Sequence, residues 1–228
     1  MQTSVSNVKG DENFIQALVP HVSRISHLAL TGYSSIEDVA NNLPGIFASP
    51  LSGLTSLELE QTNEPTKPFP PNEDATPPLF QNISKLRSLH LTRTPLYPTV
   101  FSFTSLIELT LAGYTAPFHF GKFIEFLRSN PDLELVILNL QFAEDSMEIT
   151  PERKVSLSRL RRLEIACVSA ADARELLLHT SLPRGVHIAI QGFQSACADL
   201  AEYLPCPPTP IQQLLTPITA IQYRNSPR

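Results

Sequence analysis

One spacing recurs along the chain: an aliphatic residue, two others, an aliphatic, one other, and a final aliphatic. It starts at Ile25 (ISHLAL), Leu54 (LTSLEL), Leu86 (LRSLHL), Leu106 (LIELTL), Leu133 (LELVIL) and Leu160 (LRRLEI). A partial copy, VHIAI, occupies residues 186–190, and a late one starts at Ile218 (ITAIQY). The six clear starts are separated by 29, 32, 20, 27 and 27 residues. The last two aliphatics of each copy lie two apart, so in a strand they point to the same side. The first sits on the turn leading in and packs beneath them.

Each such strand alone leaves its aliphatics wet. Stacking the strands in parallel sets leucine on leucine, contributing roughly 1.5–3 kcal/mol per buried side chain before entropy is subtracted. Parallel neighbours require a crossover, usually a helix, and helical patterns do fall between the motifs. SSIEDVANNLPG (34–45) combines a Ser34-to-Glu37 capping-box spacing with apolar Ile36, Val39, Ala40 and Leu43 and a Pro-Gly stop. FHFGKFIEFLRSNP places Phe120, Phe123, Ile124 and Leu127 on one helical face and stops at Asn130-Pro131. SAADARELLLHTSLP opens at Ser169, carries Asp172 in its first turn and stops at Pro183, and GFQSACADLAEYLP stops at Pro205. DENFIQALVPHVSRI reads as one further helix, capped by Asp11.

Strand and helix thus alternate with the period of a leucine-rich repeat. The expected fold is α/β: a right-handed solenoid, or horseshoe, of irregular repeats in one domain spanning residues 1–228. Its parallel sheet would line the concave side and its helices the convex side. A doubly wound α/β domain is the competing architecture. Its strands would be near-continuous runs of Val and Ile, whereas these strands interrupt their aliphatics with Ser, His, Glu or Thr, and no glycine-rich phosphate loop follows any of them. EPTKPFPPNEDATPP (64–78), with six prolines, accounts for the longest gap as an extended loop, with a polyproline ligand as the alternative. CPPTP (206–210) is part of a second break, over 205–210.

Composition narrows the function. The chain has 228 residues, 42% of them hydrophobic, enough for a sizeable core. A net charge of −5 offers no basic footprint for nucleic acid, and no apolar run reaches the roughly 18 residues of a membrane helix. The first residues, MQTSVSNVKGDENF, lack the apolar stretch of a secretory signal, so an intracellular place, cytoplasmic or nuclear, is expected. Cys167, Cys197 and Cys206 fit no zinc or redox spacing, and the sequon at Asn82 is expected to be silent. The six histidines, His21, His27, His90, His119, His179 and His187, show no metal-ligand spacing, and His119, between two phenylalanines, reads as packing. No nucleophile elbow, P-loop or HExxH occurs, so neither catalysis, nor a cofactor, nor a metal is expected.

ISKLRSLHLTRTPL, FTSLIELTLAGY and FIEFLRSNPDLELVILNLQF resemble the leucine-rich repeat region of fungal F-box proteins, over roughly residues 12–192. The resemblance implies a substrate-recognition array in a cullin–RING ubiquitin ligase, tethered by an F-box to a Skp-type adaptor. No F-box precedes the first motif, so on this pattern the chain is expected to be a fragment or an incomplete gene model, its first strand edge uncovered. The alternative is a free-standing repeat scaffold. Regular repeats place Asn or Cys three residues after the last leucine; here those places hold Tyr33, Thr62, Thr94, Tyr114, Gln141 and Val168, so irregular turns are expected.

In this geometry the residues between the leucines form the binding face. The candidate protein-binding residues are Glu58, Glu60, His90, Glu108, Leu135, Ile137, Arg162 and Glu164. The acids would steer a partner and the Leu135–Ile137 patch would anchor it. A slipped register, which would bury part of LVILNL, is the alternative. Glu58 beside His90 would form a cross-strand pair, with or without a role. ERKVSLSRLRR (152–162), with five basic residues, reads as a solvated lead-in to a strand, or as a phosphorylation site at Ser156 or a contact for an acidic partner.

Overall fold

The computed structural model describes residues 2–6, 19–35, 51–62, 83–94, 98–114, 118–140, 142, 154–167, 170–192 and 220–225. The helices expected at 34–45 and 192–205, the start of the one expected from Asp11, and both proline-rich segments lie outside them. The chain forms two compact units, Met1–Leu106 and Ile107–Arg228.

The first unit is built on four parallel strands in chain order: β1 (Gln2–Ser6), β2 (His27–Tyr33), β3 (Ser56–Gln61) and β4 (Ser88–Thr92). The leucines align rung by rung, Leu28 with Leu57 with Leu89 and Leu30 with Leu59 with Leu91. All six are at most 1% exposed. The lead-in aliphatics Ile25, Leu54 and Leu86 are buried beneath them. β1 corrects the expectation of an uncovered edge: Gln2–Ser6 pairs along His27–Thr31. Its QTSVS carries no leucine motif, so periodicity gave no sign of it. The described end of the helix expected from Asp11, Val19–Arg24, is a 3-10 turn that holds Pro20, which removes a backbone donor. A second 3-10 turn, which no helical pattern announced, spans Pro98–Ser102.

The second unit repeats the plan. Its sheet consists of β5 (Glu108–Ala112), β6 (Leu135–Leu140), β8 (Arg162–Cys167), β10 (His187–Gly192) and β11 (Ala220–Asn225), all parallel. Leu109, Val136, Leu163 and Ile188 form one buried row and Leu111, Leu138, Ile165 and Ile190 the next. Helix α1 (Phe120–Ser129) buries Phe120, Phe123, Ile124 and Leu127, as its pattern requires, and Phe126 besides. Buried Asn130 ends it, donating from Nδ2 to the Phe126 carbonyl at 2.9 Å, and Pro131 follows. Phe142 packs edge-on to Phe120, with centroids 4.9 Å apart, and 5.6 Å from Phe123. His119 is exposed rather than packed, because its neighbours Phe118 and Phe120 take the interior.

Helix α2 (Ala170–Leu178) ends before Pro183 is reached. Thr180 folds its hydroxyl back onto the Leu176 carbonyl at 2.9 Å. The chain then enters a two-residue strand, β9 (Thr180–Ser181), paired with β7 (Val155–Ser156). The basic lead-in is therefore only partly solvated. Val155, Leu157 and Leu160 are buried, while Lys154, Ser156, Ser158, Arg159 and Arg161 face water.

One contact recurs at four strand entries. The Ser26 carbonyl accepts the amides of both Thr55 and Ser56, at 2.8 and 3.0 Å. The Thr55 carbonyl does the same for Arg87 and Ser88, Ile107 for Glu134 and Leu135, and Glu134 for Arg161 and Arg162. The strands exit differently. Gly32, Arg93 and Gly113 have φ of 79°, 54° and 74°. Each turns the chain so that the next side chain, Tyr33, Thr94 or Tyr114, points inward and is at most 3% exposed. β3 lacks such a residue, and its pairing with β2 shifts by one between Thr31 and Tyr33. This is the irregularity expected from the missing asparagines.

A hydroxyl ladder stands in for them in the first unit. The single Thr94 hydroxyl proton is shared between the carbonyls of Thr92 (3.1 Å) and Leu59 (3.2 Å), which leaves Tyr33 to donate to Thr94 at 2.9 Å, and Thr62 donates to the Tyr33 carbonyl at 3.1 Å. Burial pushes the Tyr33 phenol well above its ordinary value; the bond to Thr94 opposes the rise and the Glu60 charge adds to it. The folded state then keeps a proton that the unfolded chain gives up near pH 10 (about that value in free peptides). This contribution is complete below that pH and is lost as pH climbs toward the folded value. Tyr33→Phe is expected to cost about 1 kcal/mol at neutral pH and to flatten the decline in urea midpoint at alkaline pH. Leu109→Ala should cost about 2–5 kcal/mol, whereas Leu135→Ala, on the opposite face of its strand, should cost less than half as much by the same measurement.

Candidate functional site

The alternation that buries one face of each strand leaves the other facing water. In the first unit this open face carries Glu58 directly across from His90. His90 Nε2 lies 2.7 Å from Ser88 Oγ, and Glu58 stays exposed with no ion pair among the described residues. Glu60 pairs instead with Arg93, Oε1 to Nη2 at 2.7 Å, the side chains being 40% and 36% exposed. Such a pair contributes at most about 1 kcal/mol. Arg93 was not among the residues singled out from sequence. Its positive φ brings it back toward Glu60, an effect no linear spacing announces.

In the second unit the open face forms three rows. Glu108, Leu135, Arg162 and His187 make the first, and Thr110, Ile137, Glu164 and Ala189 the second. Asn139, Ala166 and Gln191 make the third. Leu135 and Ile137 are half-buried on this face while Val136 and Leu138 are buried on the other, which settles the register within LVILNL. Arg162 and Glu164, two apart on β8, form an ion pair through Nη2 and Oε1. The structure thus brings Glu108, Leu135, Ile137, Arg162 and Glu164 onto one sheet face. Glu58, Glu60 and His90 share a face of the other unit.

A hollow of about 320 Å³ opens on the face of β6, β8 and β10. Its small side chains are Ala112, Ala166 and Ala189; Ile137 stands on one side, Asn139 and Gln191 at the strand exits, and the Arg162–Glu164 pair at the entry. The alanines make the depression, since a methyl between long neighbours leaves a space one side chain deep. Asn139, Ala166, Ala189 and Gln191 were outside the candidate set, because small and amide residues give no signal until the register aligns them. Two polar atoms of this face, Thr110 Oγ1 and His187 Nδ1, are buried with no hydrogen-bond partner among the described residues.

The arrangement suits noncovalent contact. An aliphatic wall and small side chains take an apolar side chain, and the amides and ion pair offer hydrogen bonds at the rim. Among the described residues no three His, Cys, Asp or Glu side chains converge as metal ligands, and no helix is long and apolar enough to cross a membrane. The chain matches no protein-family model, no curated protein and no solved structure.

Proposed function

We propose that the chain is a protein-binding module whose repeats form a leucine-rich-repeat solenoid and whose open sheet face is the binding surface. The observation that carries this reading is the hollow beside Ile137. Half-buried aliphatics and alanines lie open on a sheet face whose opposite side holds the core. Apolar area of that kind, rimmed by polar groups, is what a protein partner covers. Acids flanking it at Glu108 and Glu164 act on encounter and orientation.

Within that reading, the resemblance of the repeats to those of fungal F-box proteins supports a role as the substrate-recognition region of a cullin–RING ubiquitin ligase. The Skp-type adaptor enters only through an F-box in the native protein. A free-standing scaffold, binding protein without any ligase, is the second reading. Mapping the 5′ end of the native transcript separates the two. An upstream F-box supports the first, and translation beginning at Met1 removes it.

The binding surface itself is tested by Ile137→Asp. Peptides selected by display on the wild-type chain should lose at least about tenfold in affinity on this variant, equivalent to about 1.4 kcal/mol. Its urea midpoint should remain close to wild type, because Ile137 faces outward. Undiminished peptide binding would remove the open face as the docking surface.

A further inference from the structure

The hollow on the sheet face is not the only concavity in the second unit. Another, of about 530 Å³, lies along the turns that lead into β6, β8 and β10, lined by Glu134, Arg159, Arg161 and Arg184 among others. Its charges follow the same ladder as the leucines. Counting back three residues from the paired Leu135, Arg162 and His187 gives Asp132, Arg159 and Arg184. Counting back one gives Glu134, Arg161 and Val186. On the first two rungs acid meets base: Arg159 Nε lies 3.3 Å from Asp132 Oδ1, and Arg161 Nε lies 3.2 Å from Glu134 Oε2. On the third rung the acid does not recur. Arg184 has no acidic partner among the described residues, and Val186 is fully buried.

This edge therefore carries a surplus cation in a hollow already walled by two arginines, on a chain whose net charge is −5. The Arg159 and Arg161 side chains are 65% and 79% exposed. Pairs this exposed add only about 0–1 kcal/mol each to folding, so the ladder contributes little to stability. What it presents to solvent is a set of guanidinium forks, the groups that take carboxylates two-pronged. Among the described residues no carboxylate pairs with Arg184.

We infer that this turn edge is a second docking surface, whose partner is an Asp/Glu-rich segment of another protein that supplies a carboxylate to Arg184 from the solvent side of the hollow. It is separate from the open sheet face and does not depend on it. The chain's net charge of −5 repels an acidic partner at long range, so the attraction is local to the arginine edge, and salt that screens those exposed guanidinium groups weakens binding.

The test uses fluorescein-labelled octaglutamate and anisotropy on the full chain at low and at about 0.15 M salt, where the screening length is about 8 Å. Saturable, salt-sensitive binding is expected, weakened at least about tenfold by Arg184→Glu and by Arg159→Glu, and to a lesser degree by Arg184→Gln. Lys122→Glu, the same charge change on helix α1, should alter it by less than about twofold. Urea midpoints of these exposed-site variants should match wild type. Ile137→Asp should leave octaglutamate binding intact, which keeps this surface distinguishable from the sheet face. Absence of saturable binding, or equal losses in Lys122→Glu, overturns the proposal. Tighter binding of inorganic tripolyphosphate than of the peptide also overturns it, in favour of a simple anion patch.

Discussion

A single carbonyl at the strand entry fixes the register at four junctions of the fold. Where Ser26, Thr55, Ile107 or Glu134 offers its oxygen to two successive amides of the next strand, the next copy of the motif is locked in place before its leucines meet. A one-residue slip would turn every leucine of a strand toward water. Two hydrogen bonds to one acceptor, repeated copy after copy, make that slip costly at the point where the strand begins. The buried rows, from Leu28–Leu57–Leu89 in one unit to Leu138–Ile165–Ile190 in the other, follow from it.

The exits show what happens without such a clamp. A regular repeat turns on an asparagine whose side chain bonds the backbone. Here the chain uses a left-handed residue, Gly32, Arg93 or Gly113, followed by an inward Tyr or Thr. Glycine adopts that conformation freely, whereas arginine does so at some steric cost. Arg93 alone among the three can reach an acid, Glu60, and the two facts share one position. The hydroxyl chain from Tyr33 through Thr94 then reaches the Leu59 carbonyl.

Much of this was legible from residue order, for a physical reason. Leucines two apart share one face of a strand, so all eight motif-bearing strands were expected where they occur; the slipped register left the outward placement of Leu135 open until Val136 and Leu138 were seen in the core. Helix α1 announced itself through Phe120, Phe123, Ile124 and Leu127 and through Asn130-Pro131. Other features carried no local signature. β1 is held by backbone pairing to β2, and QTSVS has no pattern to betray it. β7 and β9 are two residues each, below any periodicity, and their pairing shortened a helix whose sequence pointed to a later stop. The hollow beside Ile137 depends on alanines, which become informative only when neighbouring strands are aligned. Arg184 likewise became distinct only when Asp132 and Arg159 fell into its row.

Because the entry carbonyl sets each strand from the one before, nothing about a strand's position depends on how much chain was spent reaching it. Thr55 and Arg87 meet equivalent acceptors although the segments between successive motifs differ in length, and the proline-rich stretch at 64–78 interrupts one of them without displacing β4 from β3. For such a chain, added length in an exposed segment between motifs costs the framework little, whereas a segment such as α1 that buries side chains is held in place. New segments can be gained, lengthened or lost over evolutionary time while the faces they flank keep the same residues side by side.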